Sequence, residues 1–451
     1  TPFDNLTMMV TLNPDGSTSR EIIGSVAEGL RADSSDAAMM ARFKEIFTDP
    51  GLQMISFTIT EKGYALYRPD GSLMPVVQAD IDEGPAHARH AMSMVAALLF
   101  ERFQAGAAPL AVVSMDNCSH NGDKVRSAAM AYAETWVKAG LVPQDFLEYL
   151  KDESKVSFPW SMIDKITPRP DAKVQKMLEE DGFEDNYTII TDRHTYTAPF
   201  VNAEETEYLV IEDQYTNGRP PLEQGGVLYA DRETVDKVEK MKVCTCLNPL
   251  HTTLAVYGCL LGYTKISEEM KDADLVKLVE IIGYKEGLPV VTDPGILSPK
   301  KFIDEVLQIR VPNPFMPDTP QRIACDTSQK LSIRFGETIK EYMARPELDV
   351  KSLKFIPMVQ AGWCRYLLGV DDEGNTFAVS PDPMYAGLAE KLQGVKVGEP
   401  CNVHEVLQPV LSDAKIFGVD LYEAGLGEYV ESIFSELIAG KGAVRATMPG
   451  S

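Results

Sequence analysis

Lys242, Asn248 and His251 share one short stretch, KMKVCTCLNPLHTT, residues 240–253. An amine, an amide and an imidazole so placed can handle an alcohol that loses hydride. A lysine held near apolar groups, or near a second cation, gives up its proton close to neutral pH and then serves as a general base. Asn248 and His251 are three apart, so on a helix they face one side and can address one ligand oxygen. The same letters also start a helix: Asn caps free amides, and Pro249 at the first helical position sacrifices no needed hydrogen bond. On that reading Lys242 is a solvated lysine and His251 a first-turn histidine, and this stretch alone leaves both readings open. Cys244 and Cys246 are two apart, so their sulfurs diverge on a helix, whereas metal ligation needs converging donors. The six histidines form neither an H-E-x-x-H motif nor a Cys/His cluster, so no metal site is expected.

Further candidates lie outside this stretch. In SMDNCSHNGDK, Asn117 and Asn121 follow an apolar run, where an amide can donate to a developing oxyanion or simply make an Asx turn before the next helix. Asp164, in FPWSMIDKITP, supplies an acceptor-only carboxylate suited to a substrate hydroxyl, although a lone aspartate says little. Arg322 and Lys330, in NPFMPDTPQRIACDTSQK, are two cations able to bind a carboxylate or hydroxyls or to lower the proton affinity of another lysine; either equally suits a surface.

The elements that must position these groups follow from periodicity. The runs 52–59 (LQMISFTI) and 110–115 (LAVVSM) read as buried parallel strands, with a helix over 87–104 between them and another after DNCSHNG. This alternation predicts an α/β domain whose ligands collect at the carboxyl ends of the strands. From about residue 186, YTIITDR, EYLVIED and GGVLYAD read as more strands and are expected to extend the same sheet. Beyond residue 239 the stretches 251–263, 267–283, 299–308, 328–344, 384–394, 403–411 and 423–440 are mostly helical. The expected fold class is therefore α/β plus all-α, with domains over 1–238 and 239–451 and a cleft between them.

Composition narrows the partners. A net charge of -24 disfavours nucleic acid and anionic membranes, while leaving room for a local basic pocket. No run approaches the roughly 18 apolar residues of a membrane helix. Seven scattered cysteines, an odd number, fit reduced thiols in a cytoplasm.

Taken in order, SFTITEKGY (56–64), SMDNCSHNG (114–122), FPWSMIDKITP (158–168), KVCTCLNPLH (242–251), RVPNPFMPDTPQRIACDTSQK (310–330) and AGWCRYLLGVDDEG (361–374) resemble the polyol-specific long-chain dehydrogenases: mannitol dehydrogenase, fructuronate reductase and tagaturonate reductase. The resemblance implies a Rossmann-type cofactor domain followed by a helical substrate domain, and metal-independent hydride transfer between a sugar-derived alcohol and NAD or NADP, with NAD preferred. It implies that Lys242 is the general acid/base, that Asn248 and Asn117 or Asn121 (Asn117 favoured) are oxyanion donors, and that His251 orients a substrate oxygen. By the same resemblance Asp164, Arg322, Lys330 and Asn121 contact substrate, and Thr60, Glu61 and Asn117 contact the cofactor. Fructuronate/mannonate is placed ahead of mannitol/fructose and tagaturonate/altronate, because Arg322 and Lys330 suit a carboxylate. The assembly implied is a monomer or small homo-oligomer.

Two departures from the family's pattern stand out. VCTCL places one residue more between lysine and asparagine, with Pro249 following, so a π-type bulge is expected that keeps Lys242 facing the cleft. No G-x-G-x-x-G is present, so a Gly-rich strand–turn–helix is expected upstream of Thr1. The alternative of another class is a catalytically silent sugar-acid-binding protein.

Overall fold

The computed structural model describes residues 3–450. In the first half β1 (Thr7–Leu12) and β2 (Thr18–Ile23) form a hairpin, and α1 (Ala37–Thr48) leads to β3 (Met54–Phe57). Next come α2 (Pro75–Glu83), α3 (Ala91–Gln104), β4 (Leu110–Ser114), α4 (Asn121–Lys138) and α5 (Gln144–Lys151). β5 (Val156–Ser157) completes a parallel sheet in the order β3-β4-β5. Every residue of β4 is buried, as its unbroken apolar run implies for a central parallel strand. α3 and α4 close over it with Leu99, Val125, Ala129 and Trp136, all without exposed surface.

The strands after residue 186 do not extend that sheet. β6 (Ser161–Asp164) pairs with β10 (Tyr208–Glu212), which pairs with β11 (Leu228–Ala230). β7 (Ile189–Ile190) and β8 (Tyr196–Thr197) make an exposed hairpin, and β9 (Phe200–Glu204) joins β1 instead. The ladder stops after β5 because Phe158-Pro159 intervenes, and proline cannot donate to it. β6 is then tied to β4 through side chains: Asn121 Nδ2 donates to Ser114 O (3.1 Å) and Ser161 Oγ (2.8 Å), and Ser161 Oγ donates to Ser114 O (2.5 Å). β10 is buried on both faces, Ile211 packing with Ala111 and Val113 while Val210 enters the core of the helical half.

α6 (Ala172–Glu180) lies among the strands of the first half, and the chain is helical only from α7 (Arg232–Met241) onward, so the boundary placed at 238/239 falls inside α7. α8 (Asn248–Leu260) follows and is buried along almost its whole length. A π-helical turn stands at Lys242–Cys246, where a bulge was expected, and others at Ile281–Gly287, Val306–Arg310 and Ser332–Gly336 interrupt or end stretches read as plain helix. These turns cost regular hydrogen bonds and recur at functional sites.

Gly122 sets how closely α4 meets the β5–β6 connection. A Cβ there would lie 2.5 Å from Phe158 O and 2.7 Å from Pro159 O, with backbone that cannot swing aside. Gly122→Ala is expected to cost about 1–3 kcal/mol, as overpacking does. A denaturation midpoint equal to that of the parent protein would rule out this close approach.

Candidate active site

Lys242 opens the first π-helical turn, and Leu247 N–H bonds back to its carbonyl at 3.0 Å. The extra residue in VCTCL is thus absorbed as the bulge expected, and Pro249 begins α8 without owing Thr245 a donor. The side chain of Lys242 is only 3% exposed. Its Nζ donates to Asn117 Oδ1 at 2.8 Å and more loosely to Ile163 O at 3.5 Å. Burial lowers its proton affinity, the carboxylates of Asp164 and Glu239 oppose that, and Arg310 adds to it.

A cavity of about 690 Å³ reaches this amine. It is lined by the Asp116–His120 turn after β4, by Ser161–Ile163 of β6, by one face of α7 and its π turn, and by Asn248, Ile333 and Thr338. Both its size and its mixed lining suit a small-molecule site. Asn248 does not cap α8; it lines the cavity, with its Oδ1 buried and without a hydrogen-bond partner. Asn117 meets the lysine with its carbonyl end, so its role here is to hold the amine rather than to donate to an oxyanion. The whole arrangement can take a proton from a hydroxyl at Lys242 while Asn248 binds the oxygen.

Behind the lysine lies a buried ion network that the sequence reading missed. Arg310, with a side chain 2% exposed, bonds Asp164 at 2.6 and 2.7 Å and Glu204 at 2.8 and 3.1 Å. The assignment of Asp164 as a substrate contact is therefore corrected, since Arg310 takes both of its oxygens. Asn121 is corrected too. Its amide nitrogen donates to Ser114 O, Asp116 O and Ser161 Oγ, and its oxygen accepts from Ser161 N, so it shapes the turn and has nothing left to offer.

His251 is set back from the cavity lining, its Nε2 3.7 Å from Asp318 Oδ2 and its side chain 19% exposed. Burial holds the ring neutral, with Arg334, Arg322 and Arg310 adding to the effect and Asp318 opposing it. Arg322 is a correction as well: it is 66% exposed and paired with Asp318 four residues back. Lys330 Nζ donates to Cys325 O at 2.6 Å and does not line the cavity. Burial lowers its proton affinity, and Arg334 lowers it further. His120, in a left-handed conformation (φ 48°), stacks on Trp160 at 3.9 Å and reaches Asp236 at 2.9 Å to form one rim. Its partner lies too far along the chain for spacing to reveal.

A nicotinamide cofactor fits part of this site. β3 and β4 run parallel and end at one edge, where Asp116–His120 open onto the cavity. Thr60 and Glu61 lie in the turn after β3, but the Asp116 carboxylate already accepts from the N–H groups of Ile59 (3.0 Å) and Thr60 (2.9 Å), and Glu61 pairs with Lys124. Neither lines the cavity beside Lys242, but Glu61 lines an adjoining cavity of about 630 Å³ that shares Ser119 and His120 with the first. Among the described residues no Gly-rich turn opens a helix to cradle a pyrophosphate, so the fit covers the nicotinamide end.

Comparison with known proteins agrees with this architecture. The mannitol dehydrogenase Rossmann domain matches residues 4–224 and the mannitol dehydrogenase C-terminal domain matches 234–437. The chain is 53% identical over 449 residues, 99% of its length and 83% of the relative's, to a D-mannonate oxidoreductase of Thermotoga maritima. A substrate-free D-sorbitol dehydrogenase superposes with a TM-score of 0.81 at 25% identity, covering 99% of this chain and 84% of that one. The mannitol 2-dehydrogenase of Pseudomonas fluorescens, solved as a ternary complex with NAD and D-mannitol, gives 0.65 at 26% identity over 98% and 82%. A buried lysine at the meeting of a parallel sheet and a helical half is thus framed by both matched domains, and the chain belongs to the mannitol dehydrogenase family.

Proposed function

We propose that the chain interconverts D-mannonate and D-fructuronate, with NAD in preference to NADP. Membership of its family makes it an oxidoreductase and sets aside the silent sugar-acid binder. A nicotinamide held against the Asp116–His120 turn would supply the hydride acceptor or donor for the carbinol carbon. Lys242 takes the hydroxyl proton on its Nζ during oxidation and returns it during reduction. Asn117 Oδ1 holds that nitrogen toward the cavity, and Asn248, on the cavity wall, donates from its Nδ2–H to the substrate oxygen as charge develops on it. Neutral His251, kept so by burial, orients rather than titrates.

The observation that carries this reading is the desolvated amine of Lys242 on a cavity wall that Asn248 shares. The substrate class is supported by the relative named for D-mannonate, and the cofactor by the NAD in the mannitol 2-dehydrogenase complex. Seven free thiols support a cytoplasmic setting; no helix among the described residues is long and apolar enough to cross a membrane.

A panel of D-mannonate, D-altronate and D-mannitol, each with NAD and NADP, tests the proposal. The highest kcat/KM is expected for D-mannonate with NAD. A preference for the uncharged polyol would displace the hexuronate assignment, and a preference for NADP would displace the cofactor assignment.

A further inference from the structure

Arg334 sits in the π-helical turn Ser332–Gly336, half-buried, and its Nη1 donates to Thr252 Oγ1 at 2.5 Å. Among the described residues no carboxylate lies within ion-pair distance of it, unlike Arg310 and Arg322. The groups that feel its charge are cationic or neutral: it lowers the proton affinity of both His251 and Lys330. Glu337, one turn on, acts on Cys244, while burial alone acts on Arg334, pushing it down to about 10. A desolvated guanidinium with one neutral acceptor is an incomplete ion pair, costly unless something else completes it.

Its placement says what completes it. Thr252 stands four residues after Asn248, so the two share one face of α8 about 6 Å apart along the axis. Ile333, beside Arg334 in sequence, lines the same cavity as Asn248 and Lys242, while Arg334 and Thr252 stand outside that lining, one turn along α8 from Asn248. A hexuronate bound with its reacting oxygen at Asn248 carries its carboxylate at the far end of the carbon chain, a span of about one helical turn. Guanidinium and carboxylate then pair through two parallel hydrogen bonds.

We propose that Arg334 is a specificity-determining residue that receives the substrate carboxylate and selects hexuronates over uncharged polyols. The proposal rests on the hexuronate reading above and moves that role from Arg322, paired with the Asp318 carboxylate, and from Lys330, bonded to Cys325 O, to Arg334, which has donors to spare beyond its bond to Thr252.

The test is steady-state kinetics of the full protein and of Arg334→Gln and Arg334→Lys with D-mannonate and NAD. Arg334→Gln is expected to raise KM for D-mannonate by roughly 10- to 100-fold, the span of a charge-assisted pair, with kcat and KM for NAD changed far less. Arg334→Lys keeps the charge but loses the fork, so an intermediate KM is expected; it also serves if the glutamine variant does not fold. A KM for D-mannonate within about threefold of the parent value in the folded variants overturns the proposal, as does an equal rise in KM for NAD. A parent protein that oxidises D-mannitol and not D-mannonate overturns the hexuronate reading together with this one. A parent active on D-mannonate whose Arg334 variants do not respond overturns this one alone.

Discussion

Lys242→Met is expected to cut kcat for D-mannonate oxidation by at least about a hundredfold, within the range for removing a general acid/base, while the protein remains folded. The two effects separate because the lysine is poorly placed for stability. Its amine is almost wholly out of water, and its one close partner is the neutral carbonyl of Asn117. Burial holds its proton affinity below that of a free lysine, so the unfolded chain binds this proton more readily than the folded one. Stability therefore rises with pH from the folded value up to the unfolded one, and at neutral pH the charged amine opposes folding. Methionine fills similar volume without that cost, so the thermal midpoint at pH 7 should hold or rise, with the advantage shrinking as pH climbs toward the free-lysine value. The same lowered affinity sets the rate profile. Oxidation needs the free amine and rises with pH to a plateau reached below the free-lysine range, whereas reduction needs the protonated amine and falls over the same interval. A variant with near-parental kcat, or one whose oxidation profile keeps the parental limb, would remove Lys242 from the proton-transfer role.

Much of the fold was legible because its signals are local. The strand around Val112, the helices flanking it and the buried α8 all announce themselves through apolar period, as does the change to helix beyond α7. The partition of the later strands was not legible. β10 reads as another strand of the first sheet, and only its partners, β6 on one side and β11 on the other, reveal a second sheet shared between two cores. Periodicity states that a strand exists, and the break at Pro159 decides where it pairs. The π turns divide the same way. The bulge at Lys242 was expected because a residue had to be absorbed before a proline; the turns at Arg310 and Arg334 carry no such mark.

The candidate site shows the same limit. Lys242 and Asn248 stand on one continuous segment and meet at the cavity. Asp164 and Asn121 have suitable chemistry, but partners remote in sequence hold them, which no spacing rule reports; the pairing of Arg322 with Asp318, four residues back, is one that spacing does offer. Arg310 heads the segment RVPNPFMPDTPQ, yet its two carboxylates lie on β6 and β9, far back in the chain. Three of the four π turns among the described residues hold a cation of this site, Lys242 opening one, Arg310 closing another and Arg334 within a third. Each widened turn changes the direction of its side chain relative to a regular helix, which is how charges from separate segments come together.

Arg310→Met should be the most destabilising single change, at about 3–5 kcal/mol, the usual cost of removing one member of a buried ion network. Among the described residues Arg310 is the only cation bonded to the carboxylates of Asp164 and Glu204, and both are buried. It also joins the halves of the molecule, because Asp164 and Glu204 belong to β6 and β9 while Arg310 ends a turn of the helical half. Without it Lys242 loses the cation that lowers its proton affinity while Asp164 still raises it, so the lysine should bind its proton more tightly and the oxidation limb should move to higher pH. Replacing all three members together, as Asp164→Asn, Glu204→Gln and Arg310→Met, removes the stranded charges. That triple variant should be more stable than Arg310→Met alone, since a network is expensive to break and not to delete. Chemical denaturation of both proteins against the parent decides the matter. A triple variant less stable than the single one would mean that the carboxylates hold the fold through contacts other than the guanidinium, and that Arg310 is a lesser part of the joint between the two halves.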